Sequence, residues 1–217
     1  MFSNEDEELD EENEGKEGEN IEDIKVILVG EPGTGKTSLI NVSVGEAFKE
    51  VSQSTLLSTF VPKTFNKNGH DYILNIWDTA GQEKYRAMTK IFIKNSKIVI
   101  FVYAIDNLKS FEGLKKYWVN SIKEALGDVP ILGMVGNKCD LFMKEEVKEE
   151  DAKQFALEKK MKFELVSAKE DPDGFIKFLS GLLDDYLAKN NKGPGRKTIH
   201  INKDNNSLIE KSEKKCC

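Results

Sequence analysis

Eight residues near the start of the chain, Gly30 through Thr37, have the types and spacing needed to hold a polyphosphate. They read Gly-Glu-Pro-Gly-Thr-Gly-Lys-Thr and match the Walker A pattern G-x-x-x-x-G-K-S/T. Gly33 and Gly35 let the backbone turn its N–H groups toward an anion at a helix N-terminus, whose partial positive charge favours that anion. Lys36 adds a full charge for the β- and γ-phosphates, and the Thr37 hydroxyl is a hard oxygen ligand for Mg²⁺. The sequence therefore predicts a loop that binds a nucleotide together with Mg²⁺.

The neighbours of this loop indicate that it joins a strand to a helix. Residues 24–29 form an apolar run before it, and Ser-Leu-Ile follows it. Pro32 has no N–H, which is compatible with phosphate binding if the phosphate-contacting amides begin at Gly33. The structural alternative is a plain glycine turn between a core strand and a helix. The positions predicted to contact nucleotide in this segment are Gly30, Gly33, Thr34, Gly35, Lys36, Thr37 and Ser38.

Three further polar segments each follow directly after an apolar, strand-like run. Asp78 comes after the run 72–77 and is followed by Thr-Ala-Gly-Gln-Glu. An acidic residue at a strand end is the usual support for the Mg²⁺ shell in P-loop proteins. Asn-Lys-Cys-Asp at 137–140 and Ser-Ala-Lys at 167–169 follow two later runs. Because α/β proteins bind ligands at the carboxyl ends of their strands, we expect these segments to meet there.

The elements that must position these segments follow from the hydrophobic pattern. Asn68-Gly69 between two strand-like runs predicts a hairpin, so its two strands should be antiparallel neighbours. Continuous apolar strands that alternate with helical stretches indicate a mostly parallel sheet covered on both faces. The predicted fold class is therefore α/β: a single P-loop domain with a mostly parallel six-stranded sheet, one antiparallel strand and helices on both faces. The predicted strands are 24–29, 59–65, 72–77, 98–103, 131–136 and 163–166, and the predicted later helices are 110–126, 149–160 and 174–188.

The charge distribution divides the 217-residue chain into three parts. Residues 1–23 carry 12 acidic side chains against one lysine, a net charge of −11, which predicts a disordered acidic extension. Residues 24–188 balance to zero, and residues 189–217 carry a net charge of +5 and predict a flexible tail. A neutral core with an acidic extension argues against nucleic acid as a partner. No apolar run approaches 18 residues, and three cysteines give no disulfide framework, so we expect a reducing, cytosolic compartment.

Together the four polar segments resemble the nucleotide motifs of small GTPases of the Ras superfamily, across a G domain at 24–188. The resemblance implies that Asn137 braces the base and the loop, that Lys138 covers the base plane with its aliphatic stem, and that the Ala168 N–H meets guanine O6. Asp140 can accept hydrogen bonds from the two adjacent donors of guanine, N1 and N2. Adenine lacks these donors and would leave the carboxylate unpaired, at a cost of several kcal/mol. Ser167 and Lys169 belong to the same implied base site, and Cys139, at the variable position of its motif, is expected to be a small buried filler.

The same resemblance implies how the reaction is carried out. Phe48 falls where the family places an aromatic side chain on the base edge, and the Gly81 N–H would approach the γ-phosphate. Gln82 would orient the water that attacks the γ-phosphorus in line, while Lys36, the loop amides and Mg²⁺ stabilise charge. No arginine aligns as an internal finger, so a slow intrinsic rate is expected. The implied catalytic residues are Gln82, Lys36, Thr55 and Gly81, and the implied Mg²⁺ ligands are Thr37, Thr55 and Asp78.

Within the superfamily the chain is most similar to the Rab family. Phe60, Trp77 and Phe92 fall where Rab proteins place an aromatic triad that faces effectors, and the spacing from Lys36 to Thr55 has no gaps. The chain ends in Cys216 and Cys217, which the resemblance implies are geranylgeranylated. Two segments depart from the usual Rab sequence: Leu-Leu-Ser-Thr-Phe at 56–60 and Ile-Phe-Ile-Lys-Asn at 91–95.

The resemblance thus predicts a GTPase switch that binds GTP or GDP with Mg²⁺ and acts in vesicle and membrane trafficking. Its expected partners are an exchange factor, a GTPase-activating protein, effectors, a GDP-dissociation inhibitor and the prenylation machinery. The expected location is the cytosolic face of a membrane, held peripherally through the prenylated tail. One alternative is a GTP-binding interaction module with little or no hydrolysis. Another is an ATP-dependent P-loop kinase, which would have no use for the Asn-Lys-Cys-Asp and Ser-Ala-Lys motifs.

Overall fold

The structure of the chain is a computed structural model, which describes residues 22–50, 59–79, 92–127 and 131–190. Its six strands are β1 (Glu22–Val29), β2 (Thr59–Lys67), β3 (His70–Asp78), β4 (Ile98–Ala104), β5 (Ile131–Asn137) and β6 (Lys162–Leu165). Helix α1 is Lys36–Ser43, and α2 consists of three consecutive helical segments at Leu108–Gly113, Leu114–Trp118 and Val119–Leu126. A 3₁₀ segment at Cys139–Lys144, helix α3 (Glu149–Glu158) and helix α4 (Pro172–Asn190) complete the described elements.

The strands form one sheet with the order β2-β3-β1-β4-β5-β6. Only the β2–β3 pair is antiparallel; the other four pairs are parallel. Asn68 and Gly69 form the turn between β2 and β3 with φ values of 54° and 78°. Positive φ at both central residues is what a tight hairpin turn requires, and Asn-Gly tolerates it best. The carboxyl ends of the parallel strands therefore meet at one edge of the sheet.

Two hydrophobic cores lie on opposite faces of the sheet, because alternate residues of each strand point in opposite directions. Along β1, Val26 and Leu28 belong to the core shared with α1 and α4, while Ile27 and Val29 belong to the core shared with α2 and α3. Every residue of β4 is buried, as expected for a central strand covered on both faces. These packed layers fix the positions of the strand ends and of the loops that follow them.

The predicted fold class is confirmed: the sheet has six strands, is mostly parallel, and carries helices on both faces. β1 begins two residues before the predicted domain start at 24, and α4 ends two residues after its predicted end at 188. The long helix after β4 departs from the prediction, since its middle segment, Leu114–Trp118, is a π-helix. Among the described residues, no helix combines the length and apolarity needed to span a membrane.

Candidate nucleotide-binding site

The loop between β1 and α1 is held by its own lysine. The Lys36 ammonium donates to the carbonyl oxygens of Gly30 and Glu31, each at 3.0 Å. The Thr34 hydroxyl donates to the Glu31 carbonyl at 3.0 Å, and the Thr34 side chain is fully buried. Gly35 precedes α1 in the left-handed region, with φ 88° and ψ 24°, and no side chain caps the helix. A helix N-terminus that no side chain caps is a suitable place for an anion to bind to backbone N–H groups.

We expect nucleotide affinity to fall as the pH rises above about 8. Burial lowers the pKa of Lys36 to about 8, although the Asp78 and Glu31 carboxylates oppose that shift. A bound polyphosphate favours the charged ammonium, so binding takes up a proton and the Kd of GDP should rise by up to about tenfold per pH unit. Titrating GDP binding between about pH 7 and 9 checks this. In a Lys36→Met control, binding should be weaker and less dependent on pH, and a wild-type Kd that is constant over this range would contradict the prediction.

Two of the three residues predicted to hold Mg²⁺, Thr37 and Asp78, lie beside this lysine. The Thr37 hydroxyl donates to Oδ2 of Asp78 at 2.6 Å, so the start of α1 and the end of β3 meet at this point. Asp78 is buried, with 4% of its surface exposed. The described residues contain no cluster of three or more His, Cys, Asp or Glu side chains suited to a metal. Mg²⁺ is commonly held by only one or two protein oxygens, the rest of its shell being waters and phosphates, so this hydroxyl–carboxylate pair fits it.

Asn137 connects the phosphate loop to the two loops predicted to bind the base. Its side-chain amide donates to the Thr34 carbonyl at 2.8 Å, and its Oδ1 accepts from the Ala168 N–H at 3.2 Å. Gly35 leaves the room for this contact, since a Cβ built there would lie 2.2 Å from the Asn137 side-chain nitrogen. Asn137 is 2% exposed, so both hydrogen bonds are buried. One side chain thus fixes the spacing between the phosphate loop and the Ser-Ala-Lys loop.

Asp140 is oriented by Ser167. The Ser167 hydroxyl donates to Oδ1 of Asp140 at 2.6 Å. The hydroxyl oxygen of Ser167 in turn accepts from the backbone N–H groups of Lys169 and Glu170 at 3.2 and 3.0 Å. Because this hydroxyl has a single proton, accepting two N–H bonds directs that proton to the carboxylate. The second carboxylate oxygen of Asp140 can then accept from a ligand. The structure therefore brings the last residue of one motif against the first residue of the other.

The other predicted base-site residues surround this pair. Lys138 adopts a left-handed conformation, with φ 64°, and its ammonium lies 3.6 Å from Oδ1 of Asp106. Phe48 is 36% exposed and lines a cavity of about 510 Å³ together with Ala168 and Lys169. The Lys169 ammonium lies 3.8 Å from a Glu50 carboxylate oxygen. The segment after α1 and the Ser-Ala-Lys loop therefore share one cavity.

Cys139 is only partly buried, so the prediction of a buried filler is wrong in degree. Its backbone N–H donates to the Val166 carbonyl at 3.1 Å, which joins the ends of β5 and β6. Desolvation and then the nearby Asp140 carboxylate raise the pKa of its thiol. A thiol held in its protonated form is a weak nucleophile.

Five of the predicted functional residues lie outside the described part of the chain. They are Thr55, Gly81 and Gln82, which were assigned to Mg²⁺ and to catalysis, and Cys216 and Cys217, which were assigned to lipidation. Their roles stay predictions. The remaining site residues converge at the carboxyl ends of β1, β3, β5 and β6, apart from Phe48, which reaches the base loops from the segment after α1.

One interaction of the phosphate loop was not predicted from the sequence. The Trp118 indole N–H donates to the Glu31 carboxylate at 3.1 Å, across 87 residues of chain. Gly113 lies against the same carboxylate, since a Cβ there would approach Glu31 Oε1 to 2.6 Å. Gly113 and Trp118 are five residues apart, one turn of the π-helix, so the wider turn brings both to the phosphate loop. No sequence signal links these residues, because Glu31 occupies a variable position of its motif.

The three aromatic residues predicted to face effectors form one stack. The Phe60 and Trp77 ring centroids are 5.2 Å apart with the planes inclined by 27°, and Trp77 and Phe92 are 5.8 Å apart. The Lys25 ammonium lies 4.6 Å from the Trp77 ring centroid, within the range of a cation–π contact. Phe60 is 52% exposed, so one end of the stack faces solvent. An exposed aromatic anchor of this kind is typical of a protein-binding surface.

The fold and this site define a P-loop nucleotide-binding protein with a Ras-like G domain. The Ras family model matches residues 25–178. Ras-related protein Rab-13 of Rattus norvegicus is 35% identical over 192 residues, which are 88% of this chain and 92% of that protein. Ras-related protein RabC of Dictyostelium discoideum is 38% identical over 172 residues, 77% of this chain and 87% of that protein. Ras-related protein Rab-21 of Geodia cydonium is 40% identical over 146 residues, 67% of this chain and just 63% of that protein.

The chain belongs to the Ras superfamily of small GTPases and, within it, to the Rab family. Guanine nucleotides are the ligands of this family, which agrees with the placement of Asp140 beside Ser167.

Proposed function

We propose that the protein is a Mg²⁺-dependent GTP-hydrolysing switch of the Rab type that acts in vesicle trafficking. The observation that carries this proposal is the hydrogen-bonded chain from Thr34 through Asn137 to Ala168, which sets a phosphate loop and a base loop at a fixed separation. A guanine nucleotide has its polyphosphate and its base at opposite ends, so it can occupy both loops at once. The rival reading, a module that binds GTP without hydrolysing it, requires the same binding geometry and differs only in turnover.

The residues of the chain divide the work of hydrolysis between them. Lys36 and the N–H groups at the start of α1 would hold the phosphates and stabilise charge that develops on the transferred group. Thr37 and Asp78 would hold Mg²⁺, with Thr55 completing its shell in the triphosphate state; the ion supplies charge neutralisation at the β- and γ-phosphate oxygens. Gln82 would orient the attacking water. Since no arginine aligns as an internal finger, hydrolysis should be slow without an activating partner, whose arginine finger contributes about 10³- to 10⁵-fold.

Replacing Gln82 with Leu should slow single-turnover GTP hydrolysis while GTP affinity stays near that of the wild type. Leucine keeps the approximate volume but cannot hydrogen-bond to the water, so positioning is lost and binding is not. Gln154→Leu is a matched control, because Gln154 is exposed on α3, away from the site. Hydrolysis by wild type and Gln82→Leu at equal rates would show that Gln82 does not position the water. Turnover by neither protein, with Mg²⁺ present, would favour the non-hydrolysing module.

The regulators implied by the family would act on surfaces around this site. An exchange factor, an activating protein and a GDP-dissociation inhibitor must all distinguish the GDP from the GTP state. The stack of Phe60, Trp77 and Phe92 is the proposed effector contact, since all three residues are close in sequence to the segments at 51–58 and 80–91. Those segments contain Thr55, Gly81 and Gln82, which are proposed to sense the γ-phosphate, so a change there would affect the aromatic surface. The proposed division of the chain is a G domain at 24–188 between an acidic extension at 1–23 and a tail at 189–217.

The tail is proposed to carry the protein to the cytosolic face of a membrane through prenylation of Cys216 and Cys217. Changing both residues to Ser should leave nucleotide affinity unchanged and move the protein from the membrane fraction to the supernatant of cell lysates. Each buried CH₂ of a lipid contributes about 0.8 kcal/mol, so loss of both chains removes most of the membrane affinity. Cys139→Ser is the control with one thiol removed from the folded domain. Unchanged membrane fractionation of the double variant would refute the lipid anchor.

A further inference from the structure

A second cavity lies at the edge of the sheet opposite the nucleotide site. It has a volume of about 470 Å³ and is bounded by the loop before β4, the end of α2, the start of β5 and the end of α4. These are the amino ends of the strands, whereas the nucleotide motifs follow the carboxyl ends. The cavity therefore belongs to no part of the site described above.

The lining of this cavity is basic. Lys94, Lys97 and Lys189 contribute three ammonium groups, and all three residues are exposed. In the part of the chain that the structure describes, Lys94 and Lys97 form no ion pair. Lys25 adds a fourth ammonium beside them, because its Nζ donates to the Lys94 carbonyl at 3.0 Å. The cavity thus concentrates positive charge in a domain whose residues 24–188 are neutral as a whole.

Ser96 gives the cavity a hydrogen-bonding group as well as charge. It lines the cavity, is 7% exposed, and its hydroxyl has no hydrogen-bond partner. A buried hydroxyl without a partner costs free energy, and a local movement that exposed it to the cavity would let an external acceptor recover that cost. A carboxylate is such an acceptor, and it also matches the charge of the surrounding lysines.

The acidic segment at residues 1–21 joins the described part of the chain at Glu22, which lies beside this cavity. Tyr186 lines the cavity, and its hydroxyl donates to Oε1 of Glu22 at 3.1 Å, so the first described residue is one side chain away. Residues 1–21 carry ten carboxylates and one lysine. An extended chain advances about 3.3 Å per residue, so Glu19 and Glu17 can reach about 10 and 17 Å from Glu22. Because Glu22 contacts a residue of the cavity lining, these carboxylates need no long intervening loop to approach the cavity.

From this placement we infer that the acidic segment at residues 1–21 docks intramolecularly on the lysine-lined cavity formed by Lys94, Ser96, Lys97 and Lys189. Each exposed ion pair is weak, but a tethered segment acts at a roughly millimolar effective concentration, so weak pairs suffice to occupy the cavity for part of the time. The docked segment neutralises the basic face from which the tail at 191–217 departs. The interaction is electrostatic and should weaken as salt shortens the screening length.

Zero-length carbodiimide cross-linking of the full-length chain, followed by mass spectrometry, tests this inference. The reagent joins a carboxylate to an amine only where the two are in contact. We expect cross-links from the carboxylates of residues 5–19 to Lys94, Lys97 and Lys189 to exceed by several-fold those to Lys144 and Lys177, which are exposed and serve as matched reference lysines. The cross-links to the cavity should occur within monomers and disappear at about 1 M salt, where the screening length is about 3 Å. Cross-links spread evenly over cavity and reference lysines would overturn the inference.

A vesicle-binding experiment distinguishes docking of the acidic segment on the cavity from binding of an anionic lipid there. The full-length chain, without a prenyl group, is compared with a full-length variant whose ten carboxylates at 5–19 are replaced by the corresponding amides. Lys94→Gln/Lys97→Gln is then introduced into both, with Lys144→Gln/Lys177→Gln as the charge-matched control. If the acidic segment covers the cavity, the Lys94→Gln/Lys97→Gln substitutions should lower binding to phosphatidylserine vesicles several-fold only in the variant with the neutralised segment. An equal reduction in both backgrounds would identify the cavity as a lipid site and refute the intramolecular contact.

Discussion

Replacing Asp140 with Asn is expected to weaken GDP and GTP binding by about 10²- to 10⁴-fold and to strengthen the binding of xanthine nucleotides. The wild-type carboxylate can accept from two adjacent guanine donors, and hydrogen bonds to a charged group contribute about 1.5–3 kcal/mol each. Asparagine offers an amide N–H₂ where guanine also offers a donor. Xanthine has a carbonyl at that position, so the amide becomes complementary to it. Competition by xanthosine diphosphate and GDP against a labelled nucleotide measures both changes.

Two control variants separate recognition of the base from damage to the fold. Asp151→Asn makes the same chemical change at an exposed residue of α3 and should leave both affinities unchanged. Ser167→Ala keeps the Asp140 carboxylate but removes the hydroxyl that orients it at 2.6 Å. That variant should bind GDP about tenfold more weakly, the equivalent of one hydrogen bond, without any gain for xanthine. Wild-type GDP affinity in Asp140→Asn would show that Asp140 does not read the base.

The parts of this structure that the sequence predicted are those with local signals. The six strands were marked by apolar runs, and the β2–β3 hairpin by Asn68 and Gly69, whose positive φ values few other residue pairs tolerate. The phosphate loop was marked by a pattern in which each residue type has a defined role in binding a polyphosphate with Mg²⁺. In all these cases the residues that determine the local structure lie within a few positions of one another, so composition and spacing suffice to predict that structure.

The parts that escaped prediction depend on residues far apart in the chain. The Glu31–Trp118 hydrogen bond spans 87 residues, and no pattern in one segment indicates its partner in the other. The π-helical turn at Leu114–Trp118 belongs to the same class. Its sequence, Leu-Lys-Lys-Tyr-Trp, is compatible with an ordinary α-helix, and the contacts of Gly113 and Trp118 with Glu31 accompany the wider turn. Tertiary packing therefore decided the local geometry at this place.

The same distinction applies to the base site. The resemblance implied that Asn137 braces the base and the loop and that Ser167 belongs to the base site, but it did not show which protein groups these side chains contact. Asn137 joins the phosphate loop to the Ser-Ala-Lys loop, and Ser167 orients Asp140. Both residues position other groups before any ligand is bound. Binding then requires less ordering of these loops, which is the physical advantage of preorganisation.

Changing Gly35 to Ala should disrupt this preorganised site far more than changing Gly33 to Ala. Both glycines have positive φ, 88° and 77°, so alanine at either position carries the same kind of backbone cost, about 1–2 kcal/mol. Only at Gly35 does the added Cβ meet another group, the Asn137 side-chain nitrogen at 2.2 Å; at Gly33 nothing lies within 4 Å. The Asn137 amide must then move away from the Thr34 carbonyl and the Ala168 N–H. Gly35→Ala should therefore lose GDP affinity by orders of magnitude, whereas the stability cost of Gly33→Ala should be limited to about 2–8 °C in Tm.

A double-mutant cycle isolates the collision from the backbone strain. In an Asn137→Ala background the atom that the new Cβ strikes is gone, so Gly35→Ala should cost only as much unfolding free energy as Gly33→Ala does. The two changes at 35 and 137 should thus be strongly non-additive, while those at 33 and 137 should add within about 0.5 kcal/mol. Urea unfolding of the nucleotide-free proteins, followed by tryptophan fluorescence, measures each cost without a contribution from binding. Additive costs at 35 and 137 would mean that the backbone of the phosphate loop, and not its contact with Asn137, makes glycine necessary at this position.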